Sequence, residues 1–113
     1  MALHINKVLI AGCALILCAV SDGDAAGDVA AGRQKALMCQ TCHGLDGKAM
    51  LPEAPNLAGQ SEIYLVKALK DYRSGARKND MMSLVAPTLK DRDIDDLAAY
   101  YSAIEVTVGP RPK

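Results

Sequence analysis

Two cysteines and the histidine that follows them constrain this chain more than any other feature. Cys39 and Cys42 stand two residues apart, and His43 comes next. The chain has four cysteines, but Cys13 and Cys18 lie in an apolar N-terminal segment. Past that segment there is no other cysteine and no other histidine, because the second histidine is His4. A CxxC pair that serves zinc needs two further ligands of those kinds. A dithiol in an exported chain is also open to a structural disulfide or a thioredoxin-type redox pair. The redox pair needs a strand before the motif and a βαβ setting, and neither is legible here. What remains is Cys39-Gln40-Thr41-Cys42-His43 as the attachment motif for a c-type haem.

The chemistry accounts for the spacing. Two thiols add to the two vinyl groups on one edge of a porphyrin. Two intervening residues let the chain curl so that both sulfurs reach that edge. The next residue then falls beneath the ring, where its imidazole binds iron as the proximal ligand. Composition agrees with a bound group at the centre. In 113 residues there is no Trp and no Phe, and only four Tyr. Large aromatics usually carry much of a small core. A chain this short forms one domain at most and buries a modest share of its surface.

The first 25 residues read as a secretory signal peptide. Lys7 supplies the positive start, Val8 to Val20 is almost wholly apolar, and Ser21 to Ala26 turns polar and small. Cleavage is expected after Ala25, with Gly23 and Ala25 as the small residues. The apolar run falls short of the roughly 20 residues a transmembrane helix needs. An uncleaved anchor and a lipidated Cys13 behind Ile10-Ala11-Gly12 rank below this reading. The expected location is the periplasm, with no stable membrane insertion after cleavage. Removal takes one of 13 basic side chains (Lys7) and two of 13 acidic ones (Asp22, Asp24). The near-neutral remainder excludes nucleic acid as a bulk partner.

Along residues 26–106, Asp28 is a suitable N-cap for a helix from Val29 toward Cys39. Residues 44–59 lack a period and read as a loop. Ser61 is expected to cap a second helix, Glu62 to Ser74, with Gly75 as its stop. Its apolar face is Tyr64, Leu65, Ala68, Leu69 and Tyr72. Residues 77–87 read as a second irregular loop, carrying Met81 and Met82. A third helix is expected from Arg92 to Ile104, facing inward with Ile94, Leu97, Ala98, Tyr101 and Ile104. Its N-terminal aspartates suit the helix dipole. Residues 107–113 are expected to be a flexible tail. A second axial ligand must come from the far side of the ring. Met38 adjoins Cys39 and Met50 follows His43 closely, which leaves Met81 and Met82.

Cys39-Gln40-Thr41-Cys42-His43-Gly44, Pro55-Asn56-Leu57-Ala58-Gly59-Gln60, Met81-Met82 and the run from Asp93 to Tyr101 together resemble a bacterial class I cytochrome c. The likeness is to small periplasmic monohaem members and to the single-haem halves of periplasmic di-haem proteins, and it spans about Gly27 to Ile104. It implies an all-α fold of three main helices and loops wrapped round one haem. It implies that the terminal helices cross at Gly32, with Tyr100 or Tyr101 opposite. It further implies that the Pro55 carbonyl accepts the His43 Nδ1 hydrogen bond, and that His43 and Met82 are the axial ligands. Two departures stand out. Val85 occupies a position where the family often has a further Met, and Lys90 replaces a Ser before the last helix. Loss of that cap is expected to loosen the helix start.

His/Met ligation leaves no open iron site, so the implied function is electron transfer without catalysis. The implied partners are periplasmic redox proteins. The donor would be a dehydrogenase, such as a sulfite dehydrogenase. The acceptor would be a terminal oxidase, reductase or peroxidase. A fixed subunit of a dehydrogenase complex is the alternative carrier role. A haem peroxidase or gas-binding protein ranks lower, because no second histidine is available. For docking, an apolar rim of Ala49, Leu51, Leu84, Val85 and Ala86 is favoured over the basic stripe Lys67, Lys70, Arg73, Arg77 and Lys78. Such a stripe is usually a solvated helix face.

Overall fold

Asp28 starts the first helix as its chemistry dictates. Its carboxylate accepts the Ala31 N–H at 2.7 Å, and α1 runs Val29–Lys35. The computed structural model describes residues 26–113, so the signal-peptide reading of residues 1–25 and its two rivals lie outside the described residues. Among the described residues no helix is long and apolar enough to cross a membrane, and every regular element is helical. A tight 3₁₀ turn, Ala36–Met38, leads into α2, Gln40–His43. Helix α3 is Glu62–Ser74, α4 is Met82–Val85, a second 3₁₀ turn covers Ala86–Thr88, and α5 is Asp91–Ser102.

Helix α3 ends at Gly75, whose φ of 82° is left-handed and suits glycine. Its start differs from expectation. Ser61 occupies the N-cap position, but its hydroxyl makes no capping bond. The apolar face is also narrower than its pattern. Leu65 is buried, whereas Tyr64 is 47% exposed. The residues 77–87 are not all irregular, since α4 and the turn after it fold there. A four-residue helix has too few bonds to leave a period in sequence. Tertiary support makes it, as α4 and the following turn lie against α3. Ala86, expected on a surface rim, is fully buried.

Helix α5 begins one residue early and does not loosen at Lys90. The Asp93 carboxylate reaches back to accept the Lys90 N–H at 2.9 Å, and the Ile94 N–H meets the Lys90 carbonyl at 3.1 Å. A side chain from inside the first turn thus replaces the missing serine. Ile94, Leu97, Ala98 and Tyr101 of α5 join Ala36, Leu65 and Leu89 in one core.

The terminal helices pack directly on each other. Gly32 makes this possible. A Cβ there would lie 1.9 Å from the Asp96 carbonyl oxygen and 2.7 Å from the Tyr100 Cβ. The partner across the contact is therefore Tyr100 together with the α5 backbone. Asp96 corrects the dipole reading of the aspartates, because it is 2% exposed and holds the crossing together. Its Oδ1 accepts the Asp28 N–H at 2.7 Å and Arg92 Nε at 3.1 Å, and its Oδ2 accepts Lys35 Nζ at 2.7 Å. Burial pushes this carboxyl up, but the Asp28 N–H and the two cations outweigh burial and hold it below the ordinary range. Lys35 also bridges to Asp93 at 2.8 Å.

Candidate haem-binding site

Residues 39–43 form a single helical turn. The His43 N–H donates to the Cys39 carbonyl at 3.0 Å, and the Cys42 N–H does so at 3.2 Å. Residues three apart share a helix face, so both thiols lie on one side with the imidazole close by. Both cysteines are free and partly exposed. Burial, with Cys42 beside it, pushes the Cys39 thiol up to about 11. A thioredoxin-type nucleophile needs the opposite shift. Among the described residues no cluster of three His, Cys, Asp or Glu is placed to hold a metal ion.

His43 is 8% exposed, and its Nδ1 lies 2.9 Å from the Pro55 carbonyl oxygen. A carbonyl only accepts, so Nδ1 carries a proton, and Nε2 is the ring nitrogen left for a ligand bond. An imidazole oriented in this way is positioned to ligate a metal through its other nitrogen. The loop that presents Pro55 is held by its own backbone. The Gly47 carbonyl accepts the Leu57 N–H at 2.8 Å and the Ala58 N–H at 3.1 Å, while the Met50 N–H donates to the Cys42 carbonyl at 2.8 Å. Asn56 Oδ1 accepts the Ala49 N–H at 2.8 Å. The chain turns sharply after His43 at Gly44, where φ is 73°.

Helix α5 fixes that turn. Tyr101 Oη donates to the Gly44 carbonyl at 3.2 Å, and Tyr100 Oη to the Leu45 carbonyl at 2.6 Å. Sequence reasoning placed these tyrosines in the helix contact and missed their hydroxyls. An acceptor 55 or 57 residues away leaves no local signal.

Cys39, Cys42, His43 and Pro55 are thus brought together on one side. Met82 stands apart on α4, half-buried, next to Met81, which is 60% exposed. Two supporting residues on that side were also not foreseen. Asn79 Oδ1 accepts the Met81 N–H at 3.1 Å and the Met82 N–H at 3.0 Å. Arg73 donates to the Leu89 carbonyl at 3.1 Å and pairs with Asp91 at 2.5 Å. Other members of the basic stripe are tied down as well. Lys67 pairs with Asp71, and Arg77 bonds Tyr64 Oη at 3.3 Å and lies 4.7 Å over the Tyr72 ring.

Two free thiols on one turn, a buried imidazole with a pinned tautomer and a methionine on a separate segment fit a covalently bound haem iron. This donor set in an all-helical frame defines a c-type haem protein. Residues 29–104 match the family model described as cytochrome c, and the chain belongs to that family. It is 49% identical over 83 residues to cytochrome c-554(548) of Halomonas halodenitrificans, covering 71% of this chain and all of that one. It is 41% identical over 104 residues to cytochrome c4 of Pseudomonas aeruginosa, covering 92% of this chain and 51% of that one. The solved structure of reduced recombinant cytochrome c4 from Pseudomonas stutzeri is similar, with a TM-score of 0.68, 41% identity and coverage of 74% and 49%. The chain therefore spans about half the length of the cytochromes c4 it matches. A further relative, a thiosulfate dehydrogenase electron acceptor of Stutzerimonas stutzeri, is 43% identical over 70 residues, covering 61% of this chain and 32% of that one. As a family member the chain is an electron carrier rather than an enzyme, with haem c as its covalently bound cofactor.

Proposed function

We propose that this chain is a periplasmic carrier of single electrons in which Cys39 and Cys42 bind the haem as thioethers, His43 Nε2 is the proximal ligand and the Met82 sulfur is the distal one. One observation carries the reading. A backbone carbonyl holds the Nδ1 proton of a histidine that shares one helical turn with two free thiols. When bound, the haem supplies a one-electron Fe(II)/Fe(III) couple with no coordination position open to oxygen or substrate. The Pro55 carbonyl keeps the His43 ring from turning. Tyr100 and Tyr101 hold the backbone just beyond it. Residues 1–25 direct export, residues 26–106 form the domain, and residues 107–113 trail from it.

The donor in this reading is a periplasmic dehydrogenase of a sulfur oxyanion, thiosulfate or sulfite, and the acceptor a terminal oxidase or reductase. The name of one relative, a thiosulfate dehydrogenase electron acceptor, supports that donor class. Docking uses the apolar side chains Leu51 and Leu84, which are 44% and 70% exposed, with half-buried Ala49 and Val85 beside them. Three of the five residues in the basic stripe are engaged within the molecule, which supports an apolar rather than a charged contact.

The test is expression with export and haem attachment, followed by acid–acetone extraction and stopped-flow reduction. Haem is expected to stay with the polypeptide, and the reduced protein to show sharp low-spin bands. Free haem in the organic layer refutes the thioether assignment. Reduction by thiosulfate or sulfite dehydrogenase is expected to change little from low to physiological salt. A fall beyond about tenfold would show electrostatic steering and restore the basic stripe as the docking surface. No reduction by either enzyme removes the donor class.

A further inference from the structure

The segment that carries Met82 is fastened at its start by a reciprocal set of hydrogen bonds. Asn79 Oδ1 accepts two backbone N–H groups, from Met81 at 3.1 Å and Met82 at 3.0 Å. Ser83 answers in both directions. Its Oγ accepts the Asn79 N–H at 3.0 Å, and its own N–H donates to the Asn79 carbonyl at 2.9 Å. The N–H groups that a short helix leaves unpaired at its start are satisfied this way. Arg73 anchors the exit from the same segment through the Leu89 carbonyl. Met82 therefore has its backbone held near both ends of the segment, while Ser83 and Asn79 contribute no atom to the proximal cluster.

We propose that Asn79 is the positioning residue of the distal methionine, its side-chain oxygen holding the Met82 backbone so that the sulfur is pre-organised for iron and competing ligands are kept out. The inference rests on Met82 being the distal ligand. In this proposal a foreign ligand reaches the iron when the start of α4 unwinds and Met82 turns away, which breaks both bonds to Asn79 Oδ1. The apparent affinity of a competitor scales with the fraction of molecules that are open. A side chain that stabilises the closed segment lowers that fraction, and the part of it that matters is one acceptor oxygen.

The experiment uses the ferric holoprotein with imidazole as the competing ligand. N79A is expected to bind imidazole about fivefold more tightly than wild type, the factor produced by losing a typical capping side chain. N79D keeps the acceptor oxygen and is expected to stay within about twofold of wild type. S83A cuts only the returning bond and is expected to shift affinity in the same direction by about twofold. The control is D28A, which removes an equivalent cap from α1 (Asp28 Oδ1 to Ala31 N–H, 2.7 Å). It is expected to lower the melting temperature and leave imidazole affinity unchanged. M82A is expected to lose the sulfur–iron charge-transfer band.

Unchanged affinity in N79A, or an equal shift in D28A, overturns the positioning role. If M82A loses the band while N79A behaves as wild type, only this inference falls. If M82A keeps the band, the Met82 assignment falls, and the role proposed for Asn79 falls with it. Should N79A not fold, unchanged affinity in S83A is the refuting result.

Discussion

Gly32→Ala tests the way the terminal helices meet. Two effects oppose each other at this position. Alanine inside a helix is favoured over glycine by about 1 kcal/mol, which alone predicts a more stable protein. Against this, the added Cβ would sit 1.9 Å from the Asp96 carbonyl oxygen, where a carbon–oxygen contact needs about 3.3 Å. The obstacle is backbone, so no side-chain rotation relieves it, and α1 and α5 must part by roughly 1.4 Å at this point. Overpacking of this kind usually costs about 1–3 kcal/mol. Separation also stretches the bond from the Asp28 N–H to Asp96 and the contact from Lys35, 2.7 Å each. Hydrogen bonds to a charged group are worth about 1.5–3 kcal/mol apiece.

The steric and hydrogen-bond losses together exceed the propensity gain, leaving a net destabilisation of about 2–3 kcal/mol. In a domain of this size each kcal/mol moves the midpoint by about 4–8 °C, so the melting temperature should fall by roughly 10–20 °C. The assay is thermal unfolding of the oxidised holoprotein by far-ultraviolet circular dichroism, beside wild type. The haem should remain attached throughout. A melting temperature equal to or above that of wild type would refute the reasoning, because helix propensity would then outweigh the close approach.

Met82→Ala should abolish the ferric sulfur–iron band, turn the iron high-spin or recruit a foreign ligand, and lower the potential, whereas Met81→Ala should be mild; optical spectra and potentiometry decide, and the reverse pattern would assign Met81. Asp96→Asn should cost about 2–3 kcal/mol at neutral pH by leaving buried partners underused. The Asp96 carboxyl is held low in the native state, so its contribution is present above about pH 4 and fades as pH falls through the lowered native value. Denaturant melts at neutral and acid pH should show the gap to wild type shrinking on acidification, and a constant or growing gap would remove that account. Tyr101→Phe strips the Gly44 carbonyl of its donor and should lower stability by about 1 kcal/mol, read as a lower denaturation midpoint without loss of haem.

The features legible in the sequence are those whose physics is local. Thioether formation and iron ligation need named atoms a fixed number of bonds apart, so Cys39, Cys42 and His43 stand out as a motif before any fold is known. Asp28 and Gly75 mark helix ends because a carboxylate can bond N–H groups within its own turn and glycine alone enters left-handed backbone without strain. The end of α3 at Gly75 was accordingly readable. Ser61 and Lys90 show where the same logic stops, since a cap position does not say whether its side chain engages or whether Asp93 reaches back in its place. Asp91, Asp93, Asp95 and Asp96 look alike in sequence, yet only Asp96 is buried. What singles it out is contact with Asp28 and Lys35, 68 and 61 residues away. The packing of the short helix at Met82 on α3 and the tyrosine hydroxyl bonds to Gly44 and Leu45 have the same origin. Their energy comes from partners on other elements, and those partners become neighbours only once α1, α3 and α5 have packed.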